Sequence, residues 1–587
     1  MTVVTDRTRP AALRILLGET QLRHRVERST TTPPSGAAPR RRGWALVLLA
    51  LALVASACAS VESGSTQVSG GDDDDADAGP AQYGGRLVYG LEAETTNGWC
   101  LPEGQLAIAG IQVARSVYDT LTVPTGDGEF VPYLAQSVTP DADATDWTIA
   151  LRPGVTFHDG SPLTAEVVKN NLDAYRGQYP GRTSLLFQFV LADIATVEAV
   201  DPLTVRVTTT RPWSSFPSFL YSSGRLGMIA QAQLDDPEGC ATDLIGTGPF
   251  RLDEWQVNDH LTLVRNDDYW RTDADGNQLP YLDEIEFRPV IEQQQRINGL
   301  KSGELDAFHT STALTVDEMR ALDEAQQVNL AESADFAEVS MLMTNATKPP
   351  FDNPTARAAI ANALQIELAN EIQGKGIPEI ANGPFAPGSL GYVEDTGMPR
   401  GDPRRASELV EQYETETGQP LRFQITSTPE PDTLASAQLA AQFFEEAGMD
   451  VSITSLDQSS LISAAISKEF QLMTFRNYPG LDPDNNYVWW YGAGNPVNFS
   501  GFDDPEVNRL LDAGRATPDR AQRQQIYGEL NQVLAHQGYF LWSTWTRWAV
   551  PMDPEFHGVV GARAPDGSPD YTGLALGHDM AYVWKER

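Results

Sequence analysis

The sequence predicts an α/β protein that folds as more than one lobe. Its 587 residues exceed what a single hydrophobic core usually accommodates, so several lobes are expected. Between residues 421 and 475 the pattern alternates as strand, helix, strand, helix, strand, which is typical of a parallel sheet covered by helices. Upstream, Trp147 and Ile149, like Val205 and Val207, alternate with polar residues and predict half-buried strands. Together these observations favour a multi-lobed α/β architecture.

The alternating region divides into five elements. The segments LRFQIT, MDVSIT and FQLMTF are predicted strands, and LASAQLAAQFFEEAG and SSLISAAIS are the predicted helices between them. In the first helix Leu439 and Phe443 share one face, and Gly448 stands at the C-cap.

A further helical pattern covers residues 351–372, FDNPTARAAIANALQIELANEI. Asp352 or Asn353 is placed to cap its start. An apolar stripe follows at helical spacing, formed by Ile360, Leu364 and Leu368. The pattern predicts one continuous amphipathic helix.

The N-terminal segment has the parts of an export signal. Residues 44–57 form an uncharged apolar run after three arginines, too short to span a bilayer comfortably. Ala55, Ser56 and Ala57 lead directly into Cys58, so the segment looks like a bacterial lipoprotein signal, although Ala55 stands where Leu is usual. The prediction is a signal peptide over 1–58, a lipid on Cys58 and a disordered acidic tether over 59–83. That places the protein outside the cytoplasm, lipid-anchored to the outer face of the cytoplasmic membrane, in the periplasm or at the cell surface.

The other two cysteines, Cys100 and Cys240, belong to the exported part of the chain. In an oxidising compartment such a pair is expected to form a disulfide. The alternative is two separate buried thiols.

Charge and motif content exclude several classes of function. A formal net charge of −38 argues against a nucleic-acid partner, because phosphate is repelled by such a surface. The seven histidines are scattered and give no standard zinc spacing, so no metal site is predicted. The sequence contains no P-loop, nucleophile elbow or His-Glu-x-x-His motif. We therefore expect no cofactor and no catalytic residues.

Several long segments resemble one known family. PYLAQSVTPDADATDWTIALRPGVTFHDGSPLTAEVV (132–168), GTGPFRLDEWQVNDHLTLVRNDDYW (246–270) and LPYLDEIEFRPVIEQQQRINGLKSGELDAF (279–308) are similar to landmarks of the family 5 extracellular solute-binding proteins. MTNATKPPFDNPTARAAIANAL (343–364) and PGLDPDNNYVWWY (479–491) resemble two more, in family order. These proteins bind dipeptides, oligopeptides or nickel for ABC importers.

The resemblance implies a type II periplasmic-binding-protein fold. That fold has two large lobes around a ligand cleft and an extra subdomain in the first lobe. On this sequence we expect lobe 1 with the inserted subdomain at 84–337 and an α/β lobe 2 at 338–540. Residues 541–587 are then expected to return to lobe 1.

The resemblance also implies where the ligand binds, because it brings the loops at 91–99 and 476–490 to face each other across the cleft. Aromatic side chains there are candidates to cover an apolar ligand body, and acids to pair with an amine. The candidate ligand-binding residues are Glu92, Glu94, Trp99, Asn477, Tyr478, Asp482, Trp489 and Trp490. For each tryptophan the alternative is core packing. Peptide binders of the family carry an Asp near the position of Tyr478, and its absence leaves peptides, sugars, opines and other small organic solutes open.

The predicted function is therefore that of a substrate-binding lipoprotein of an ABC importer. Its expected partners are a small-molecule or peptide ligand, the permease subunits and, through the lipid, the membrane; the protein itself is expected to be a monomer. Two alternatives remain at this point: a ligand-sensing lipoprotein on the same fold, and a surface hydrolase.

Overall fold

The computed structural model describes residues 79–587 except 96, 97, 105, 185, 186, 479 and 493. The predicted signal peptide, Cys58 and the tether up to residue 78 lie outside the described residues.

The described strands vary from two to sixteen residues. In chain order they are β1 (Arg86–Leu91), β2 (Thr122–Pro124), β3 (Phe130–Pro132), β4 (Ala135–Pro140), β5 (Asp146–Leu151), β6 (Ile194–Asp201), β7 (Thr204–Thr209), β8 (Phe250–Gln256), β9 (His260–Arg265), β10 (Glu284–Pro289), β11 (Ala307–Phe308), β12 (Asn329–Thr344), β13 (Glu379–Ile380), β14 (Arg422–Ser427), β15 (Asp450–Ser455), β16 (Leu472–Asn477), β17 (Phe540–Met552), β18 (Phe556–His557) and β19 (Trp584–Lys585).

The α-helices alternate with these strands. They are α1 (Ile108–Val117), α2 (Ala165–Tyr175), α3 (Phe187–Val190), α4 (Phe216–Phe219), α5 (Gln231–Asp235), α6 (Gln293–Ser302), α7 (Ala313–Glu324), α8 (Pro354–Ala363), α9 (Ile366–Gly374), α10 (Pro403–Thr417), α11 (Pro431–Glu446), α12 (Gln458–Ser467), α13 (Tyr487–Trp490), α14 (Pro505–Ala516) and α15 (Arg520–Gln537). Four short 3₁₀ helices lie at Gly239–Ala241, Pro483–Asn486, Leu574–Leu576 and Met580–Tyr582.

One large mixed sheet organises the fold. Its strand order is β15-β14-β16-β12-β17-β11-β1-β10-β9-β8, and β13 pairs with β17 outside this path. The two longest strands, β12 and β17, run antiparallel in the middle. Strands β8 to β11 and β1 attach to one end of this pair, and β14 to β16 attach to the other end. We call these groups the first and second half-sheets.

The second half-sheet confirms the predicted β-α-β-α-β unit. Strand β14 pairs in parallel with both β15 and β16, and helices α11 and α12 connect them. Phe443 is buried in the core of this half, and Leu439 packs against the same core. Helix α11 ends with Ala447 at the C-cap, and Gly448 follows with φ +99°, the left-handed conformation that favours glycine.

A separate four-stranded antiparallel sheet, in the order β4-β5-β7-β6, lies outside the large sheet. Trp147, Ile149, Val205 and Val207 are all buried on it, which confirms the alternating pattern. Thr164 caps the following helix α2 by accepting a hydrogen bond from the Val167 backbone N–H at 3.4 Å.

The prediction of one helix over 351–372 is wrong, because the segment forms two helices. Asn353 caps α8 by accepting from the Thr355 N–H at 2.7 Å, but α8 ends at Ala363 and Leu364 is extended. The backbone N–H of Gly401 donates to the Leu364 carbonyl at 3.0 Å. The Leu364 carbonyl, which would accept a hydrogen bond if the helix continued, is therefore already bound to a distant loop. Leu368 lies on the separate helix α9 and is exposed.

The glycines of GTGPF are required by close packing. A Cβ on Gly246 would lie 2.0 Å from the Val117 carbonyl oxygen, far inside van der Waals contact. The Gly246 N–H also donates to His158 Nδ1 at 3.3 Å, and His158 Nε2 bonds the Gly248 carbonyl at 3.0 Å. This landmark therefore fixes the start of β8 against the end of α1, and His158 is part of the scaffold.

Cys100 and Cys240 form a disulfide that joins residues 140 positions apart in the sequence. Both cysteines are buried. The bridge ties the segment after β1 to the 3₁₀ helix at Gly239–Ala241, where the Trp99 N–H also donates to the Ala241 carbonyl at 2.9 Å.

Replacing both bridged cysteines by serine should lower the free energy of unfolding by about 2–5 kcal/mol, because the crosslink restricts the unfolded chain. Urea denaturation of the exported protein measures this. In a parallel maleimide assay with peptide mapping, neither Cys100 nor Cys240 should react before reduction and both should react after it. Labelling of either residue without reductant contradicts the bridge.

Candidate ligand-binding site

The carboxyl ends of strands from both half-sheets lie beside the same part of the β12–β17 pair. Strand β11 aligns Ala307 with Met552 of β17, and the following bridge pairs Thr310 with Ala549, so the chain runs toward the middle of β17. Strand β16 runs from the opposite side, from Leu472 beside Thr344 to Asn477 beside Val339. Residues that follow these strands therefore meet where the half-sheets join, the place where α/β proteins commonly bind ligands.

Strand β12 is irregular at this junction. Its register with β17 shifts between Ser333 and Glu338, and Phe336 within the shift adopts φ +49°. The extra residues bend the strand and reorient the side chains that follow. Glu338 is the first residue paired again after the shift, opposite Thr546.

Glu338 and Arg476 lie on one face of the sheet. Arg476 of β16 is opposite Ser340, and Glu338 is two residues from Ser340 along the same strand, so both point to the same side. Glu338 Oε2 lies 3.6 Å from Arg476 Nη1, with side-chain exposures of 9% and 47%. Arg476 Nη1 also donates to Ser311 Oγ at 3.4 Å, which reaches from the second half-sheet to the first.

The facing wall comes from the first half-sheet and its loops. Glu92 directly follows β1, and its Oε1 lies 4.0 Å from His309 Nε2. Arg225 is held by a hydrogen bond from its Nε to the Leu106 carbonyl at 3.0 Å. The charges of Glu92 and Arg225 both act on the Glu338 carboxyl.

The fifth member of the site is Tyr478, immediately after β16. Its hydroxyl lies 3.0 Å from the hydroxyl of Tyr571 in the C-terminal segment. Below this pair, Phe336, Leu481 and Tyr571 form a small buried cluster. We call Glu92, Arg225, Glu338, Arg476 and Tyr478 the crossing site.

Burial and charge act together on these groups. Burial raises the pKa of Glu338, and the nearby Arg476 partly opposes that rise. Burial also lowers the pKa of Arg225 to about 10, whereas the carboxylate of Glu338 raises the pKa of Arg476. The two acids and two arginines balance in formal charge, so the site suits a ligand with both signs of charge rather than a strongly charged ion.

Several buried polar atoms around the crossing site have no hydrogen-bond partner among the described residues. They are Tyr89 OH, Tyr221 OH, His309 Nε2 and Glu338 Oε2. Buried polar groups are normally hydrogen-bonded, and an exception calls for a water or a ligand. These atoms therefore mark the junction as a place where polar groups from outside the chain can bind.

The structure gives Asp482 a partner within the protein. Its two carboxylate oxygens accept from Arg523 Nη1 at 2.8 Å and Nη2 at 2.5 Å, and one oxygen also accepts from the Asp484 N–H at 3.0 Å. An acid bound in this way is already satisfied, so the geometry favours a structural role over pairing with a ligand amine.

Three of the four predicted aromatics pack with other aromatic rings of the core. Trp490 is buried against Phe385, Phe540 and Trp542, and Trp99 is buried against Trp255. Trp489 is half-buried beside Phe499. Core packing, the alternative for each tryptophan, is what these contacts indicate.

The remaining predicted residues divide between loop contacts and the site. Glu94 accepts from the backbone N–H groups of Thr95 and Asn258 at 2.9 and 3.1 Å, and Asn477 donates to Asn486 at 3.1 Å. The structure thus brings Glu92 and Tyr478 to the crossing site and places the other six elsewhere. Sequence reasoning missed Arg225, Glu338 and Arg476. The detectable signal was Glu338, an acid that directly precedes the apolar run VSMLM of a long strand pattern.

A buried ion pair connects the loop after β16 to the four-stranded sheet. Asp484 is fully buried and lies 3.0 Å from Arg515 Nε; it also accepts from Trp213 Nε1 at 3.0 Å and from Ser215 Oγ. Arg515 in turn bonds Asp193 at 2.7 Å and lies over the Tyr487 ring at 3.7 Å. This network fixes the loop that carries Tyr478.

Two cavities are found near these elements: the first borders the surroundings of the crossing site at Tyr221, and the second shares no residue with the site. One has room for a few waters, about 30 Å³, between Arg115, Asp119 and Asp570, and burial raises the pKa of both acids to about 6. The other, about 210 Å³, is an open groove beside Trp545 with Glu379 and Glu394.

No cluster of three or more His, Cys, Asp or Glu in the described part of the chain is arranged to hold a metal ion. Within 79–587, apart from the gaps named above, none of the helices has the length and apolar character needed to cross a membrane.

Comparison with known proteins identifies one family. The family model described as bacterial extracellular solute-binding proteins, family 5 Middle, matches residues 129–499. The glutathione-binding protein GsiB of Pectobacterium atrosepticum is 28% identical over 439 residues, which is 72% of this chain and 81% of the relative. The protein of the same name from Escherichia coli O157:H7 is 27% identical over 442 residues, with 72% and 82% covered.

Solved structures share the fold over most of the chain. The PBP AgaA in complex with agropinic acid from A. tumefaciens R10 has a TM-score of 0.75 at 23% identity, covering 86% of this chain and 99% of that one. DppA from Helicobacter pylori in complex with the peptide STSA has a TM-score of 0.74 at 20% identity, with 86% and 99% covered. The likeness confirms the predicted two-lobed α/β fold.

Replacing Arg515 by methionine should destabilise the protein by about 3–5 kcal/mol, because Asp484 would stay buried without its cation. The matched control is Arg509→Met on the same helix, whose side chain is 55% exposed and pairs with Glu506. That variant should change stability by less than about 1 kcal/mol. Urea denaturation of both variants checks this, and equal effects would contradict a structural role for the buried pair.

Proposed function

Because the chain belongs to the family 5 bacterial extracellular solute-binding proteins, we propose that it is the substrate-binding protein of an ABC importer. It binds a peptide-like organic solute between its lobes and delivers it to a permease. The observation that carries this proposal is the crossing site. It combines two acids and two arginines with unpartnered polar atoms at the junction of the half-sheets.

The proposed lobes are residues 84–337, with the four-stranded sheet inserted, and 338–540, with 541–587 returning to the first. Strands β12 and β17 pass between them and act as the hinge. The lobes move toward each other about these strands when ligand binds, as in other hinge-closing proteins. In support, side chains meet across the junction: Asn485 Nδ2 bonds Ser218 Oγ at 3.2 Å, and Arg211 Nη1 bonds Asp512 at 2.5 Å.

The names of related proteins support a solute with amine and carboxylate groups. GsiB relatives are glutathione-binding, and the structural neighbours were solved with agropinic acid and with the peptide STSA. All three compounds are small organic molecules with carboxyl groups, and the peptides carry an ammonium as well. The balanced charges of the crossing site suit such a compound.

We further propose that the protein acts as a monomer without catalytic activity, exported and anchored through a lipid on Cys58. The lipid would hold the binding protein on the outer face of the cytoplasmic membrane, beside its permease. The sequence before and around Cys58 supports this.

Native mass spectrometry of the purified protein tests the function. Because closed interlobe sites retain their ligand, we expect a mass excess of a few hundred daltons that is lost on unfolding. Tandem analysis should identify a small organic solute, chemically unchanged after prolonged incubation. A ligand that is turned over would contradict a pure binding function, and the absence of any retained or added solute would contradict binding itself.

Metabolic labelling with a fatty acid tests the anchor. Wild-type protein should incorporate label and sediment with membranes, whereas Cys58→Ser should lose both properties, because the thiol is the attachment point. Cys100→Ser serves as control and should keep the label. Labelling of the Cys58→Ser variant would overturn the proposed anchor while leaving the binding function untouched.

A further inference from the structure

We propose that Glu338 on the hinge strand β12 and Arg476 on the neighbouring strand β16 together recognise the charges of the ligand. Glu338 binds a protonated amine of the solute, and Arg476 binds its carboxylate. This inference rests on the proposed function and adds to it the residues that select the solute class.

Glu338 is a buried acceptor that lacks a close donor. Its side chain is 9% exposed, and its nearest cationic atom, Arg476 Nη1, is 3.6 Å from Oε2. Oε2 accepts no hydrogen bond from any described residue. A charge-assisted hydrogen bond normally measures about 2.7–2.9 Å, so the pair is close in charge but not bonded. An ammonium group in the cleft would supply the missing donor.

Arg476 is the matching donor. Its guanidinium is half exposed, and its contacts with Glu338 and Ser311 are long, at 3.6 and 3.4 Å. A guanidinium presents paired N–H groups that fit a carboxylate bidentately. Because Arg476 is anchored by neither contact at full strength, it can turn one edge to a ligand carboxylate without breaking a strong bond.

The charged residues around the pair favour a ligand that carries both a positive and a negative group. Glu92 acts on both Glu338 and Arg476, Glu430 acts on Arg476, and Arg225 acts on Glu338 from the facing wall. A neutral sugar can donate its hydroxyl hydrogens to Glu338, but it carries no cation for Glu338 and no carboxylate for Arg476. A bare cation would leave Arg476 without an anion. A solute that carries both an amine and a carboxylate satisfies both.

The position of Glu338 in the fold explains why an acid of the hinge strand β12, rather than one of the loop after β16, binds the ligand amine. The loop after β16 contains two other acids, but Asp482 is bound by Arg523 and Asp484 by Arg515. Glu338 follows the register shift of β12, where Phe336 packs with Leu481 and Tyr571. An amine bound to Glu338 is thus fixed to the strand that joins the lobes.

A defined peptide mixture tests the proposal. Protein freed of retained ligand by unfolding and refolding with its disulfide intact is dialysed against a tryptic digest of casein. Parallel samples use the same digest after acetylation of its amines, the same digest after methyl esterification of its carboxylates, and a mixture of neutral sugars. Retained compounds are quantified by mass spectrometry. Wild-type protein should retain peptides from the untreated digest about tenfold or more above either modified digest.

The variants assign the residues. Glu338→Gln should lower retention from the untreated digest about tenfold and abolish the discrimination against acetylated peptides. Arg476→Gln should abolish the discrimination against esterified peptides. The control is Glu332→Gln on the same strand, whose carboxylate pairs with Arg320 at 2.8 Å and should leave retention unchanged. If a variant fails to fold, the modified digests with wild-type protein still decide the question.

Equal retention of acetylated and untreated peptides, or unchanged selectivity in Glu338→Gln, would overturn the inference. Retention of sugars but of no peptide would also overturn it, and would leave the proposed binding function standing. If nothing is retained from any mixture, the inference fails, and the mass of the natively purified protein decides the function separately.

Discussion

The pairing of β12 with β17 is the interaction on which the rest of the structure depends. Ladder hydrogen bonds join Asn329–Ser333 to Trp548–Met552 at one end and Val339–Met343 to Phe540–Trp545 at the other. The strands of the first half-sheet attach at one end through β11, and those of the second attach at the other through β16. Because both ends belong to the same two strands, the half-sheets are held side by side while the connection between them stays narrow.

This arrangement explains where charge is tolerated inside the fold. Asp482 and Asp484 are buried, and each pairs with an arginine. Asp484 pairs with Arg515 of α14, and Asp482 pairs with Arg523 of α15. Glu338 is equally buried but faces the junction, where its arginine is only loosely placed. Buried carboxylates are costly unless they are fully hydrogen-bonded. The closely paired acids, Asp482 and Asp484, therefore belong to the scaffold, and the loosely paired acid, Glu338, belongs to the candidate site.

The sequence predicted the elements with local signals and the fold that their order implies. Strands β14 to β16 and the cap at Asn353 follow from patterns within a few residues. The break after α8 could not be predicted in this way, because the N–H of Gly401, far along the chain, binds the Leu364 carbonyl. Local helix propensity is readily overridden by such tertiary contacts.

The sequence pointed to only two residues of the crossing site for a related reason. Glu92 and Tyr478 belong to loops that the family resemblance points to, and both lie at the junction. Arg225, Glu338 and Arg476 come from three distant segments that only the sheet topology brings together. For the aromatic residues of the same loop, the sequence does not show whether a ring faces a ligand or packs in the core. Trp490 packs against Phe540 and Trp542 of β17, a contact set by the long-range pairing.

The late position of β17 in the chain also constrains how the protein folds. The first part of β12 finds its partner only in residues 540–552, and β11, which pairs with β1 on one side, finds its second partner there too. While the chain is being synthesised, these edges stay open and prone to wrong pairing, and non-local pairing of this kind forms slowly. The first half-sheet joins the rest of the large sheet only through β17. The large sheet is therefore complete only once the last tenth of the chain is present.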